Sequence, residues 1–224
     1  MRENRFIKSI SLLLAFIFLF GSAVTAWADE APIEGEPVEE EITEQAVARL
    51  YICYHRQNKL IATGHVFLYV ENLSDETLTV GVYDLPPNEG VSLGSFGFTR
   101  SDGFGIYYNT ESYLYYDDGC EILCLSDELT NEELAVFSHR LLYSNTWDVM
   151  FYNCVSFAFM LWNTVAKPFL MPLLFPAFAR LQIKQHGGTA LSEMFFPPRE
   201  RVYRLRGTGS GCYLEPVSDK SINK

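Results

Sequence analysis

The chain has no glycine-rich phosphate loop, no CxxC pair and no internal repeat, and it has only four histidines in 224 residues. Cys120 and Cys124 stand at the wrong spacing for a structural zinc site and lack a histidine pair, so no metal is expected, and no cofactor. Bases are few: 17 Lys and Arg against 28 Asp and Glu, for a net charge of −11. A nucleic-acid partner is therefore not expected, because phosphate recognition needs clustered positive charge. Five cysteines are too few, and odd in number, for a disulfide scaffold in a chain long enough to build its own core. An odd number leaves at least one free thiol, or leaves all five free. Whether Cys53, Cys120, Cys124 and Cys212 pair is open at this stage, with Cys120 to Cys124 one option and plain core packing another.

What is present begins with an address. Arg2, Arg5 and Lys8 precede an apolar or small run from Ile10 to Phe20, long enough for a signal core and short for a bilayer span. Ala26-Trp27-Ala28 then places small residues at −3 and −1 of a cut before Asp29. Residues 1–28 are read as a cleavable signal peptide, with an uncleaved anchor as the alternative, and the working protein as secreted or extracytoplasmic. No cysteine follows the apolar core until Cys53, which argues against a lipid anchor. Residues 29–45 form an acidic leader: Asp29 to Glu44 holds eight acids and no base, with Pro32, Gly35 and Pro37 among them. Such a stretch cannot bury a core and reads as a solvated spacer. The charge divides as +2 over 1–28, −8 over 29–44 and −5 over 45–224, so the folded part is only mildly acidic.

The rest reads as one domain over 46–206 with a loose tail over 207–224. Ala46 to His55, Thr63 to Glu71 and Thr77 to Tyr83 are rich in β-branched and aromatic residues, and the Asn72-Leu-Ser-Asp75 turn suggests that the last two form a hairpin. His55 ends the first of these and is expected to face solvent. From Val91 to Tyr108 glycines recur between aromatics, as in short strands joined by tight loops, and Tyr113 to Tyr116 and Cys120 to Leu125 are further strand candidates. The period then becomes helical. Ser126 or Asp127 is expected to cap a helix with Leu134, Phe137, Leu141 and Leu142 on its apolar face, and Asn153 to cap a second over Cys154 to Trp162. Strands followed by helices give an α+β class, an antiparallel sheet with packed helices. Lys167 to Arg180 carries prolines at 168, 172 and 176, which a helix interior does not tolerate. It reads as an extended wrap over the core, or else as a hydrophobic lip beside a substrate groove or membrane surface.

Two short segments carry chemistry. Thr63-Gly64-His65-Val66-Phe67-Leu68-Tyr69 puts a histidine on a strand directly after a glycine. Tyr152-Asn153-Cys154-Val155-Ser156-Phe157-Ala158 puts a cysteine in the first turn of a helix. Unpaired N–H groups and the dipole at a helix N-terminus favour the thiolate, and a nearby imidazole lowers the thiol pKa further and can protonate a leaving group. Each residue alone is more often structural, a small core cysteine or a packed histidine; both in these settings supply the reactive pair of thiol acyl transfer.

G-H-V-F-L-Y followed far downstream by N-C-V-S-F-A resembles the circularly permuted papain-like enzymes, a superfamily with relatives among the NlpC-type cell-wall peptidases and the lecithin:retinol acyltransferase group. The likeness covers about Leu60 to Asn163. In permuted members the histidine strand precedes the cysteine helix, as His65 precedes Cys154 here. The resemblance implies Cys154 as nucleophile, His65 as its base, and a peptide or acyl substrate, with peptidoglycan stems the class expected for an exported member. Such enzymes orient the imidazole with a further polar residue on a neighbouring strand. The expected hairpin partner offers only Thr77, Thr79 and Tyr83, which leaves Glu111 as a more distant orienter and Asn109 as another. His139 lies mid-helix, and His186 offers an unpermuted dyad but lacks a strand to sit on. The alternatives are a non-catalytic surface module of the same fold, and a lipid-directed acyltransferase that contacts membrane through Lys167 to Arg180. Substrate, oligomeric state and source are not legible.

Overall fold

A computed structural model describes residues 45–56, 64–96, 105–111, 122–145, 153–172, 175–191 and 201–217. The signal peptide and nearly all of the acidic leader lie outside them, as do Tyr113 to Tyr116 and Cys120. Everything described belongs to the unit Thr43–Lys224.

Among the described residues are ten strands and three α-helices. The strands are β1 (Ala48–Arg56), β2 (Gly64–Asn72), β3 (Leu78–Val80), β4 (Tyr83–Leu85), β5 (Gly90–Phe96), β6 (Gly105–Tyr108), β7 (Ile122–Leu129), β8 (Thr189–Leu191), β9 (Tyr203–Arg206) and β10 (Tyr213–Pro216). Between β7 and β8 come α1 (Asn131–Leu142), α2 (Cys154–Val165) and α3 (Pro176–Gln185). Eight strands form one antiparallel sheet in the order β10-β9-β6-β5-β2-β1-β7-β8, and β3 and β4 pair separately. The class is α+β, with helices packed on an antiparallel sheet.

Side chains alternate across a strand, and here both faces are buried. Leu50, Ile52, Val66, Leu68 and Val70 face α1, α2 and α3 and join Phe137, Phe157, Leu161, Trp162 and Ile183 in the main core. Burying each such side chain contributes about 1.5–3 kcal/mol. The alternate positions Cys53, Phe67, Tyr69, Ile122 and Cys124 make a second cluster on the other face. His55 and His65, opposite one another in register, belong to that face by the same alternation. His55 is only 1% exposed, so the solvent-facing position expected of it is wrong: β1 continues to Arg56 between two paired neighbours.

Three further expectations need correction. Thr77 to Tyr83 is not one strand hairpinned to β2. Gly81, at φ +67°, turns the chain between β3 and β4, and β2 pairs with β1 and β5 instead. The Asn72 side chain organises the preceding turn: its Oδ1 accepts from the Ser74 N–H, and its Nδ2 donates to the Glu76 and Leu85 carbonyls. The first helix is capped not by Ser126 or Asp127, which lie within β7, but by Thr130 in a capping box with Glu133. Pairing with β1 as far as Ala48 opposite Leu129 holds the strand open past those earlier cap residues. Residues 207–217 are not loose either, since β10 pairs with β9 at the sheet edge.

The proline-spaced segment divides. Lys167 to Met171 does wrap over the core: the Trp162 indole donates to the Pro168 carbonyl at 2.9 Å, Asn163 pairs with Leu170 through both backbone groups, and Leu170 is fully buried. From Pro176 the chain is helical, because a proline at the first helical position has no intrahelical partner to lose. Phe169, Met171, Phe175, Phe178 and Leu181 all stand exposed along this stretch.

Candidate active site

The site is assembled where the start of α2 meets the start of β2. Asn153 caps α2, its Oδ1 accepting from the N–H groups of Val155 at 2.9 Å and Ser156 at 3.1 Å. That bond fixes the first turn and leaves Cys154 half-buried at the positive end of the helix. Phe157, Ala158, Leu161 and Trp162 anchor the other side of α2 in the core, so the thiol cannot swing away without unpacking them.

Pairing of β2 with β5 covers only Leu68 to Glu71, so the first residues of β2 have no β5 partner. There the His65 ring and the Val66 and Val155 N–H groups are the neighbours that lower the Cys154 thiol pKa against its burial. His65, 6% exposed, engages Glu111 through Nε2, at 3.1 Å from Oε1. The second carboxylate oxygen of Glu111 accepts from the Ser92 hydroxyl at 2.7 Å. Sulfur, imidazole, carboxylate and hydroxyl thus form one relay.

Glu111 is distant in sequence but close in space, because β6 runs beside β5 and the chain turns back past its end. Asn109, at φ +62°, makes that turn; asparagine tolerates the left-handed region better than most residues. Its N–H donates to the Ser92 carbonyl, its Oδ1 accepts from the Ser92 N–H, and its Nδ2 donates to the Arg201 carbonyl. Asn109 is therefore a clasp on the strand that carries Ser92. Thr77, Thr79 and Tyr83 belong to β3, β4 and their lead-in, away from the strand next to β2.

Gly94 completes the fit. A Cβ at that position would collide with Glu111 Oε1 and come within 2.6 Å of the Phe96 ring, so only glycine lets the carboxylate lie against β5. Phe96 packs on His65 with centroids 4.6 Å apart, and Tyr107 meets Phe96 edge-on at 5.6 Å. Sequence reasoning missed Ser92, Gly94 and Phe96. The signal available was a glycine inside a strand at V-S-L-G-S-F, a common mark of close backbone approach.

Electrostatics favour an ion pair. Burial penalises a charged His65, yet the hydrogen bonds and charges of Cys154 and Glu111 outweigh it and push the imidazole up to about 9. Burial alone would also raise Cys154, but the His65 hydrogen bond, its positive charge and the two backbone donors bring the thiol below its ordinary value. Both shifts run in the direction of a thiolate and an imidazolium, the pairing suited to attack on a carbonyl carbon and to proton delivery.

The two histidines outside the sheet stand apart. His139 is exposed on α1 against Tyr143, and His186 is the exposed C-terminal cap of α3. Among the described residues no group of three His, Cys, Asp or Glu side chains converges to hold a metal ion, and no helix is long and apolar enough to cross a membrane. In comparisons with known proteins the chain matches no family model, no curated protein and no solved structure.

Proposed function

We propose that the chain is a cysteine-dependent hydrolase or acyltransferase with a permuted papain-like core. In this reading Cys154 is the nucleophile, His65 the acid and base, and Glu111 the residue that orients the imidazole. The observation that carries it is the relay from the Cys154 sulfur through His65 to Glu111 and Ser92. Thiolate Cys154 attacks an amide or ester carbonyl, and His65 gives its proton to the leaving amine or alcohol. An acyl-enzyme results, and His65 then draws a proton from water or another acceptor as that acceptor displaces the thiolate. For an exported protein, cell-wall peptides are the substrate class that the papain-like resemblance suggests.

The deciding experiment is competitive alkylation of the folded full chain with iodoacetamide at pH 6. Cys154 should label far ahead of the other four cysteines, and His65→Ala should remove that lead. Equal and slow labelling of all five would overturn the reading in favour of a non-catalytic module.

A second reading, a lipid-directed acyltransferase, is favoured by one observation. Five large apolar side chains between Phe169 and Leu181 are each 47–69% exposed. Clustered exposed apolar surface commonly marks a docking site. Co-flotation with liposomes that is lost when Phe175 and Phe178 become serine would favour this reading, and retention of the intact protein in the soluble fraction would remove it.

A further inference from the structure

We propose that Cys53 and Cys124 are joined by a disulfide that clasps β1 to β7 on the sheet face carrying His65. The two residues are direct partners in the β1–β7 register, and their sulfurs lie 2.9 Å apart. Directly opposed residues of antiparallel strands have Cα atoms about 4.5–5.5 Å apart, inside the roughly 4.4–6.8 Å range that a disulfide needs. Both side chains are buried, 0% and 4% exposed, among Phe67, Tyr69 and Ile122, where a polar partner would be hard to supply and a disulfide requires none. Thiols are weak hydrogen-bond donors, so the S–H contact alone is a poor reason to set two sulfurs so close.

The other described thiols are committed elsewhere. Cys154 lies against His65, and the Cys212 thiol points at the Leu142 carbonyl at 3.5 Å. The pairing of Cys120 with Cys124 raised by their nearness in sequence gives way to one across 71 positions. The inference does not rest on the catalytic reading of Cys154.

Formation removes two protons and two electrons from the pair. The acceptor is an external disulfide, either a small-molecule one or that of an exchange catalyst. One cysteine thiolate attacks it and expels a thiol. The second cysteine thiolate then attacks the mixed disulfide and expels the other, so that the oxidant leaves as two thiols. In the finished fold burial, reinforced by Cys124, pushes the Cys53 thiol well above its ordinary range. Exchange therefore belongs to the interval before β7 docks on β1.

The test is non-reducing peptide mapping of the full chain, refolded from denaturant in a mixture of reduced and oxidised glutathione, then alkylated after renewed denaturation. The expected result is a linked Cys53–Cys124 peptide, with Cys154 recovered alkylated. Recovery of Cys53 and Cys124 as separate alkylated peptides, or linkage of either to Cys120, would overturn the proposal. A companion measurement follows thermal unfolding of the wild type with and without reductant. The midpoint should fall on reduction, and the Cys53→Ala/Cys124→Ala double variant, where it folds, should show no such fall. An unchanged wild-type midpoint counts against the clasp. Because Cys154 reactivity is read separately, by alkylation of the folded chain at pH 6, failure of the disulfide and failure of the catalytic reading are separate outcomes.

Discussion

Cys154 and Cys53 are the same side chain in two settings that move it in opposite directions. Burial resists ionisation in both places. At the start of α2 the His65 ring and two backbone N–H groups act on the sulfur, and the thiol falls below its ordinary value. In the middle of β1 the nearest partner is another thiol, and Cys53 rises well above. The difference teaches that exposure alone does not separate a reactive cysteine from an inert one. A half-buried sulfur becomes reactive because of what is buried with it.

The largest expected effect on that contrast comes from His65. His65→Ala removes the cation beside Cys154 and leaves burial unopposed, so the thiol pKa rises. Iodoacetamide labelling of Cys154 at pH 6 should slow by about 10²-fold or more, since each unit of pKa shift is worth about tenfold in thiolate below the pKa. Acyl-transfer turnover should fall by roughly 10²–10⁴-fold, the usual contribution of a positioned acid and base. A Cys154 labelling rate in His65→Ala equal to that of the wild type would break the comparison.

Gly94→Ala comes next. The new methyl takes the place of Glu111 Oε1, and a displacement of about 1 Å in such a relay can cost on the order of 10²-fold in rate. Circular dichroism should remain native, because the change lies on the second face and leaves the helical core intact. Wild-type activity in this variant would show that Glu111 has no part in the site.

Glu111→Gln keeps the shape and removes one charge. The His65 value, held near 9, should drop toward the ordinary 6.5, by about one unit or more. The alkaline limb of the pH–rate profile should move down with it, while Ser92→Ala, which removes one hydrogen bond to a buried carboxylate, should cost about 1.5–3 kcal/mol of stability in urea titrations. An unmoved alkaline limb in Glu111→Gln would mean that the imidazole is governed by Cys154 alone.

The smallest effect sharpens the comparison most. His65 alone, raised above its unfolded value, gives stability that is full below about 6.5 and is lost as pH climbs through about 9. Cys154 alone, with its value depressed, gives stability that is full above about 9 and is lost as pH falls through the folded value. Above both 6.5 and the folded value of Cys154, and below about 9, the folded and unfolded states therefore hold the same number of protons on this pair, and its tilt on stability cancels. Wild-type thermal midpoints should carry no slope from the pair in that window. Cys154→Ser, which leaves His65 with Glu111, should lose stability as pH rises through the histidine's folded value. Parallel curves for the two proteins would contradict the ion pair.

The α+β class, both reactive segments and the cap of α2 were legible in the sequence because each is a local pattern: period two, period 3.6, an asparagine before an apolar run. Glu111 was legible only as a distant candidate partner of His65, because its placement there depends on β5 lying next to β2, and Asn72 to Asp75 reads locally as a hairpin turn. The helix cap went to Thr130 for a similar reason, since pairing with β1 keeps Ser126 and Asp127 in a strand despite their capping propensity. Lys167 to Arg180 was half legible: three prolines ruled out a continuous helix, yet one of them sits where a helix begins.

The sheet order has a consequence for how the protein comes into being. Arg204 of β9 lies opposite Tyr107 of β6, and the Arg201 carbonyl holds Asn109, two residues before Glu111. A chain made from its N-terminus has His65 and Cys154 in place before residues 201–206. The support that steadies Glu111 arrives only when residues 201–206 emerge. On the proposed reading, a chain that stops short of them would carry Cys154 without the alignment its chemistry needs.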